Sequence, residues 1–197
     1  MSTKTIYLIL SAIIVLGVLG AWYSYIYLSP LKVNEDFEGG LSDWVADADV
    51  PIDPNNPSHS VEWNISRVTS AAKSGQYSIR LFIDGSQDDG TIWIERKIGA
   101  KRDSQVQVKV SFQFYSEQES FNTIAAVVAY AGVRSPESEE DFTVVGSANE
   151  VAGWKEYSHE TIVNTGSSEE LWVAVGDRDG LFHRRCSVRD SMIYIDR

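Results

Sequence analysis

With 28 acidic against 17 basic side chains in 197 residues, and a net charge of −11, the chain is repelled by nucleic acid and by anionic lipid headgroups; cations, neutral sugars and basic protein surfaces remain compatible partners. Its single cysteine, Cys186, excludes an intrachain disulfide, so the fold rests on a hydrophobic core or on a metal. Three histidines without metal-ligand spacing, no G-x-S-x-G turn and no Gly-rich phosphate loop leave no recognisable catalytic constellation, and no enzyme activity is expected.

No charged residue lies between Lys4 and Lys32. Residues 5–28, TIYLILSAIIVLGVLGAWYSYIYL, make a helix of about 36 Å at roughly 1.5 Å per residue, enough to cross a hydrocarbon layer of about 30 Å with some tilt. Trp22, Tyr23, Tyr25 and Tyr27 crowd one end and Tyr7 lies near the other, where amphipathic rings prefer the headgroup layer. A cleaved signal peptide has a shorter apolar region, and a buried core helix has a polar face. The sequence therefore predicts a cytoplasmic tail over 1–4, a single transmembrane helix over 5–28 held in the lipid bilayer, and an extracellular domain over 29–197.

Beyond Ser29-Pro30, where proline stops the helix, short alternating runs are separated by Gly, Asp, Asn and Ser clusters. Val61, Trp63 and Ile65 share one parity, as do Ile79, Leu81 and Ile83, then Ile92, Ile94 and Ile98. In 105–115, Val106, Val108, Val110, Phe112 and Phe114 alternate with Gln105, Gln107, Lys109, Ser111, Gln113 and Tyr115, so one face is core and the other polar. Asp47 to His59, with three prolines, reads as an extended loop, Ser135 to Asp141 as a solvated acidic loop and Phe142 to Val145 as a short strand. Leu171–Val175 and Met192–Ile195 close the sheets. Eight to ten strands at this spacing predict an all-β sandwich.

Four stretches give this order a likeness: Asp36-Phe37-Glu38-Gly39-Gly40-Leu41-Ser42-Asp43-Trp44, Ser74-Gly75-Gln76-Tyr77-Ser78-Ile79-Arg80-Leu81, Gly153-Trp154-Lys155-Glu156-Tyr157-Ser158 and Arg189-Asp190-Ser191-Met192. Together they resemble the carbohydrate-binding-module-like β-sandwich, the galactose-binding-like jelly roll often appended to glycoside hydrolases. The resemblance implies a structural Ca²⁺ tying the first strand to the last. The matching positions are Glu38, the carbonyls of Lys73 or Gly75, and Asp190, with Ser191 where a second aspartate is expected.

Sugar-binding modules lay pyranose rings on exposed aromatics, which must sit on the polar parity of a strand. Trp93, Tyr115 and Trp172 meet that condition, whereas Trp63, Trp44 and Trp154 read as packing residues. The basic cluster His183-Arg184-Arg185 with Arg189 predicts either pairing with the acidic loops or an acidic partner. Two functions are consistent with these features. One is a membrane-anchored, non-catalytic module binding extracellular carbohydrate or cell-envelope glycan, which predicts an exposed aromatic strip on one sheet. The other is a structural or adhesion subunit of a surface layer, pilus or archaellum assembly with a cell-surface protein partner, which predicts an exposed sheet edge instead.

Overall fold

The computed structural model describes residues 2–28, 31–53, 55–84, 90–116, 125–148, 150–178 and 184–196; the side chains of residues 8, 23–28 and 184–196 lie outside the description. The chain opens with helix α1 (Thr3–Leu28). Its Thr3–Trp22 portion is long and apolar enough to cross a membrane, and no residue of that span is buried against the rest of the protein.

Among the described residues eleven strands follow, forming two antiparallel sheets. The first sheet runs β3 (Trp63–Val68), β4 (Ser78–Ile83), β11 (Arg184–Asp196), β6 (Gln105–Ser116) and β9 (Gly153–Asn164). Strand β1 (Leu31–Glu35) pairs with the far half of β11. The second sheet runs β2 (Trp44–Asp49), β5 (Thr91–Gly99), β10 (Glu170–Arg178), β7 (Ala126–Gly132) and β8 (Thr143–Ser147). Apart from the β3–β4 and β7–β8 pairs, successive strands cross between the sheets, so the architecture is the all-β jelly-roll sandwich expected from the alternating runs.

The core lies between the sheets. Ile79, Leu81, Ile83, Val106, Val108, Val110, Phe112, Phe114 and Tyr157 come from one side, and Ile92, Ile94, Ile98, Val127, Ala129, Leu171, Val173 and Val175 from the other. The parity read in β4, β5 and β6 is the parity observed. Trp44 is buried as expected and lies 6.2 Å from Phe37, which plugs the sandwich with a left-handed φ of 57°.

Three local readings change. The 47–59 stretch is not all loop, because Trp44–Asp49 extends along β5 as an edge strand and Ile52 bridges Ser60. Phe142 precedes its strand and turns onto the outside of the second sheet. The 135–141 segment is strapped down rather than solvated. Ser135 Oγ donates to Glu95 Oε1 at 2.7 Å, the Glu139 amide donates to Asp49 Oδ2 at 2.9 Å, and Arg178 Nη2 donates to the Glu139 carbonyl at 2.6 Å.

Candidate functional site

The three predicted aromatics do not share a face. Tyr115 projects from the outer face of the first sheet, and Trp93 and Trp172 from the outer face of the second, because their strands fall in different sheets.

Trp93 is a correction. Its parity is as read, but it is fully buried, because the strap between β7 and β8 covers the sheet there. Phe142 packs on it with ring centroids 5.0 Å apart, and Val128 and Ala174 complete a small second core outside the sandwich. Gly176 stands directly opposite Trp93 across the ladder, where a Cβ would fall 2.2 Å from the Ile92 carbonyl oxygen and 2.8 Å from Trp93 Cβ. The indole N–H donates to buried Glu95 at 2.9 Å, whose other oxygen takes Ser135. Nearby, burial pushes the Tyr130 hydroxyl above its ordinary range, and the Glu137 amide holds the Asp141 carboxyl below its own. No sugar ring can reach Trp93.

Trp172 is half-buried on the same outer face. Its indole N–H donates to Glu170 at 3.4 Å and the Lys97 ammonium lies 5.9 Å from its ring centroid. Lys97 also pairs with Glu170, holding that carboxyl below its usual range. Gly132 stands opposite Trp172 across the ladder, and the Tyr130 ring lies over that glycine.

Tyr115 has a partner the sequence reading assigned to packing. Trp154 sits beside it in register, both half-exposed, with ring centroids 5.3 Å apart and planes inclined at 53°. One residue pair further along, Gln113 Nε2 donates to Glu156 Oε2 at 3.2 Å. On the other side of β11, Arg80 stands opposite Ser187, which stands opposite Tyr115. The Arg80 guanidinium lies 5.8 Å from the Phe82 ring centroid, and its buried Nε has no hydrogen-bond partner among the described residues. Two wide apolar faces with amide, carboxylate and guanidinium groups around them can hold a flat ring and its polar rim.

No family model matches the chain, and no curated protein sequence matches it. Among solved structures, the chain is similar to the CBM22-1 xylan-binding domain of Xyn10C from Paenibacillus barcinonensis. The two share 9% identity and a TM-score of 0.50, over 86% of this chain and 97% of that one. It is also similar to the CBM22-1-GH10 modules of Clostridium thermocellum endo-1,4-beta-D-xylanase 10B. Here identity is 16% and the TM-score 0.51, over 82% of this chain but only 28% of that one. The strand-rich domain has the carbohydrate-binding-module β-sandwich fold.

The resemblance implies a calcium tying the first strand to the last through Glu38, the carbonyl of Lys73 or Gly75, and Asp190, and the described groups among these have the following surroundings. Glu38 Oε1 accepts the backbone amides of Gln76 at 2.9 Å and Tyr77 at 3.1 Å. The carbonyl of Phe37 accepts Arg67 Nε at 3.1 Å, and that of Glu38 accepts Arg67 Nη2. The same guanidinium stacks on Tyr77, 3.3 Å from the ring centroid. Lys73 and Gly75 are solvent-exposed, and Gly75 turns with φ of 57°. Asp190 lies where the β11 ladder slips register between Arg189 and Met192, and its side chain is outside the description. No group of three His, Cys, Asp or Glu able to hold a metal occurs among the described residues. Calcium needs six to eight oxygens. Arg67 competes with a cation for the carbonyls of Phe37 and Glu38, and two backbone amides occupy Glu38 Oε1.

The outward residues Trp154, Arg80 and Phe82 were not singled out from the sequence as site residues although the signal was present. In 154–160, Trp154 shares parity with Glu156, Ser158 and Glu160, opposite buried Tyr157. Arg80 and Phe82 alternate with Ile79, Leu81 and Ile83.

Proposed function

We propose that this chain is a non-catalytic glycan-binding module, held at a membrane by its N-terminal helix and displayed on the extracellular side, with Tyr115 and Trp154 as the sugar platform. The observation that supports it is the in-register aromatic pair on an uncovered sheet face, 5.3 Å between centroids, flanked by the Gln113 and Glu156 polar groups. The xylan-binding neighbour supports the class of ligand by fold alone. Trp172 is a secondary candidate, on the opposite face and already engaged by Lys97 and Glu170.

The rival reading, an assembly subunit, has one observation in its favour. Strand β9 is a 12-residue edge of the first sheet, with Ile162 63% exposed. Long edges are templates for another chain, but β9 also carries Lys155, Glu156 and Glu160, the charges that blunt such pairing. Glycan binding is therefore preferred. The full chain in detergent is tested by affinity electrophoresis against xylan, galactan, mannan and uronic-acid polymers. Retardation by at least one, lost in Tyr115→Ala, supports the proposal, and a wild type retarded by none contradicts it. For the anchor, alkaline carbonate extraction of membranes is expected to leave the chain in the pellet, and release into the supernatant would overturn that part.

A further inference from the structure

The charges on the platform face run against the charge of the whole protein. All 28 carboxylates lie beyond Lys32, yet the positions of β4, β11 and β6 that share the register rows of the aromatic pair are Arg80, Phe82, Arg185, Ser187, Arg189, Gln113 and Tyr115. None is acidic and three are arginines. Arg185 stands in register with Phe82, Ser187 with both Arg80 and Tyr115, and Arg189 with Gln113. Arg185 and Arg189 thus occupy β11 positions roughly 7 Å to either side of Ser187, and Arg80 is two strands, about 10 Å, from Tyr115. That is the spacing of one or two sugar residues from the aromatic rings. Asn64 and Ser66 on β3 continue the same rows with neutral polar groups, and the nearest carboxylate on β9, Glu156, is already bonded to Gln113.

A neutral polysaccharide offers no carboxylate to Arg80 or to the two arginines that share its face by register. Arginine presents a planar fork that matches a carboxylate in bidentate fashion, and Arg80 has a buried Nε with no partner among the described residues. Resting on the glycan reading above, we infer that the ligand of this face is an acidic glycan, a polysaccharide bearing uronic-acid carboxylates. Its rings stack on Tyr115 and Trp154 while its carboxylates reach the Arg80, Arg185 and Arg189 side of the sheet. The acidic remainder of the domain repels the polymer and thereby confines it to this face.

The test uses the full chain in detergent with polygalacturonate, alginate, fully methyl-esterified pectin, neutral galactan and xylan, and polyglutamate as a sugar-free polyanion. Binding to a uronate polymer that is at least about tenfold tighter than to esterified pectin is expected, weakening from 50 to 500 mM salt and falling about tenfold in Arg80→Gln. Tyr115→Ala is expected to lose binding to the same polymer. Equal or tighter binding to esterified or neutral polymers overturns the acidic-glycan inference and leaves the glycan reading standing. Polyglutamate bound as well as the uronates, with Tyr115→Ala unaffected, reduces the face to a non-specific anion patch and also overturns it. No binding to any of the polysaccharides overturns both readings together. Arg189→Gln provides an independent variant should Arg80→Gln fail to fold.

Discussion

At the residue scale, Arg67 shows how a side-chain cation can take main-chain oxygens that a metal would otherwise use. Its guanidinium donates to the carbonyls of Phe37 and Glu38 and stacks on Tyr77, joining the first turn of the domain to β3 and to the Ser-Gly turn, while Glu38 receives the two amides of that turn. Charge-assisted hydrogen bonds of this kind contribute about 1.5–3 kcal/mol each when well shielded and less when exposed, as Arg67 is. Replacing Arg67 by Met is expected to destabilise the domain by about 1–3 kcal/mol in denaturant unfolding. The melting temperature of the unmodified chain is expected to be the same in EDTA as in millimolar Ca²⁺. A calcium-dependent rise would show that Asp190 and its neighbours complete a site that Arg67 does not exclude. The sequence carried the Phe-Glu and Ser-Gly motifs plainly. It did not disclose that an arginine 29 residues from Glu38 meets them, because that contact depends on how β3 lies against the turn.

At the scale of elements, the strap from β7 to β8 decides what the second sheet can do. Arg134 pairs with Asp141, Arg178 with Glu139 at 3.4 Å, and Ser135 with Glu95, so the acidic run is tied to the sheet by its own charges. Under it, Trp93 fills a small core of its own. Trp93→Ala is expected to cost about 3–5 kcal/mol of stability, the range for emptying a buried aromatic site. Near-wild-type stability measured by urea unfolding would mean that the strap does not pack there. Parity placed Trp93 correctly outside the sandwich, and alternation alone reads such a residue as exposed. A further signal lay in β10, where Leu171, Val173 and Val175 are interleaved with Trp172, Ala174 and Gly176, leaving almost no polar parity. A strand apolar on both parities is covered on both faces. The same reasoning explains the success with β6, whose Gln and Lys positions face water and whose Val and Phe positions face the core.

At the scale of the whole molecule, the described parts are an apolar helix whose Thr3–Trp22 portion is unburied, an acidic β-sandwich, and a sheet face that pairs Tyr115 with Trp154. The sandwich was legible because two-residue periodicity is written into the strands. The site was half legible, since Tyr115 could be found on its own strand whereas its neighbours come from strands more than 30 residues away, brought beside it only by pairing. The most direct measurement is the dissociation constant of the full chain for whichever polysaccharide retards it, compared among wild type, Trp154→Ala and Trp172→Ala. Loss of a stacking ring is worth about a factor of ten. Weakening of that size in Trp154→Ala, with Trp172→Ala near wild type, is the expected result; the reverse pattern would move the binding face to the second sheet and contradict the assignment to Tyr115 and Trp154.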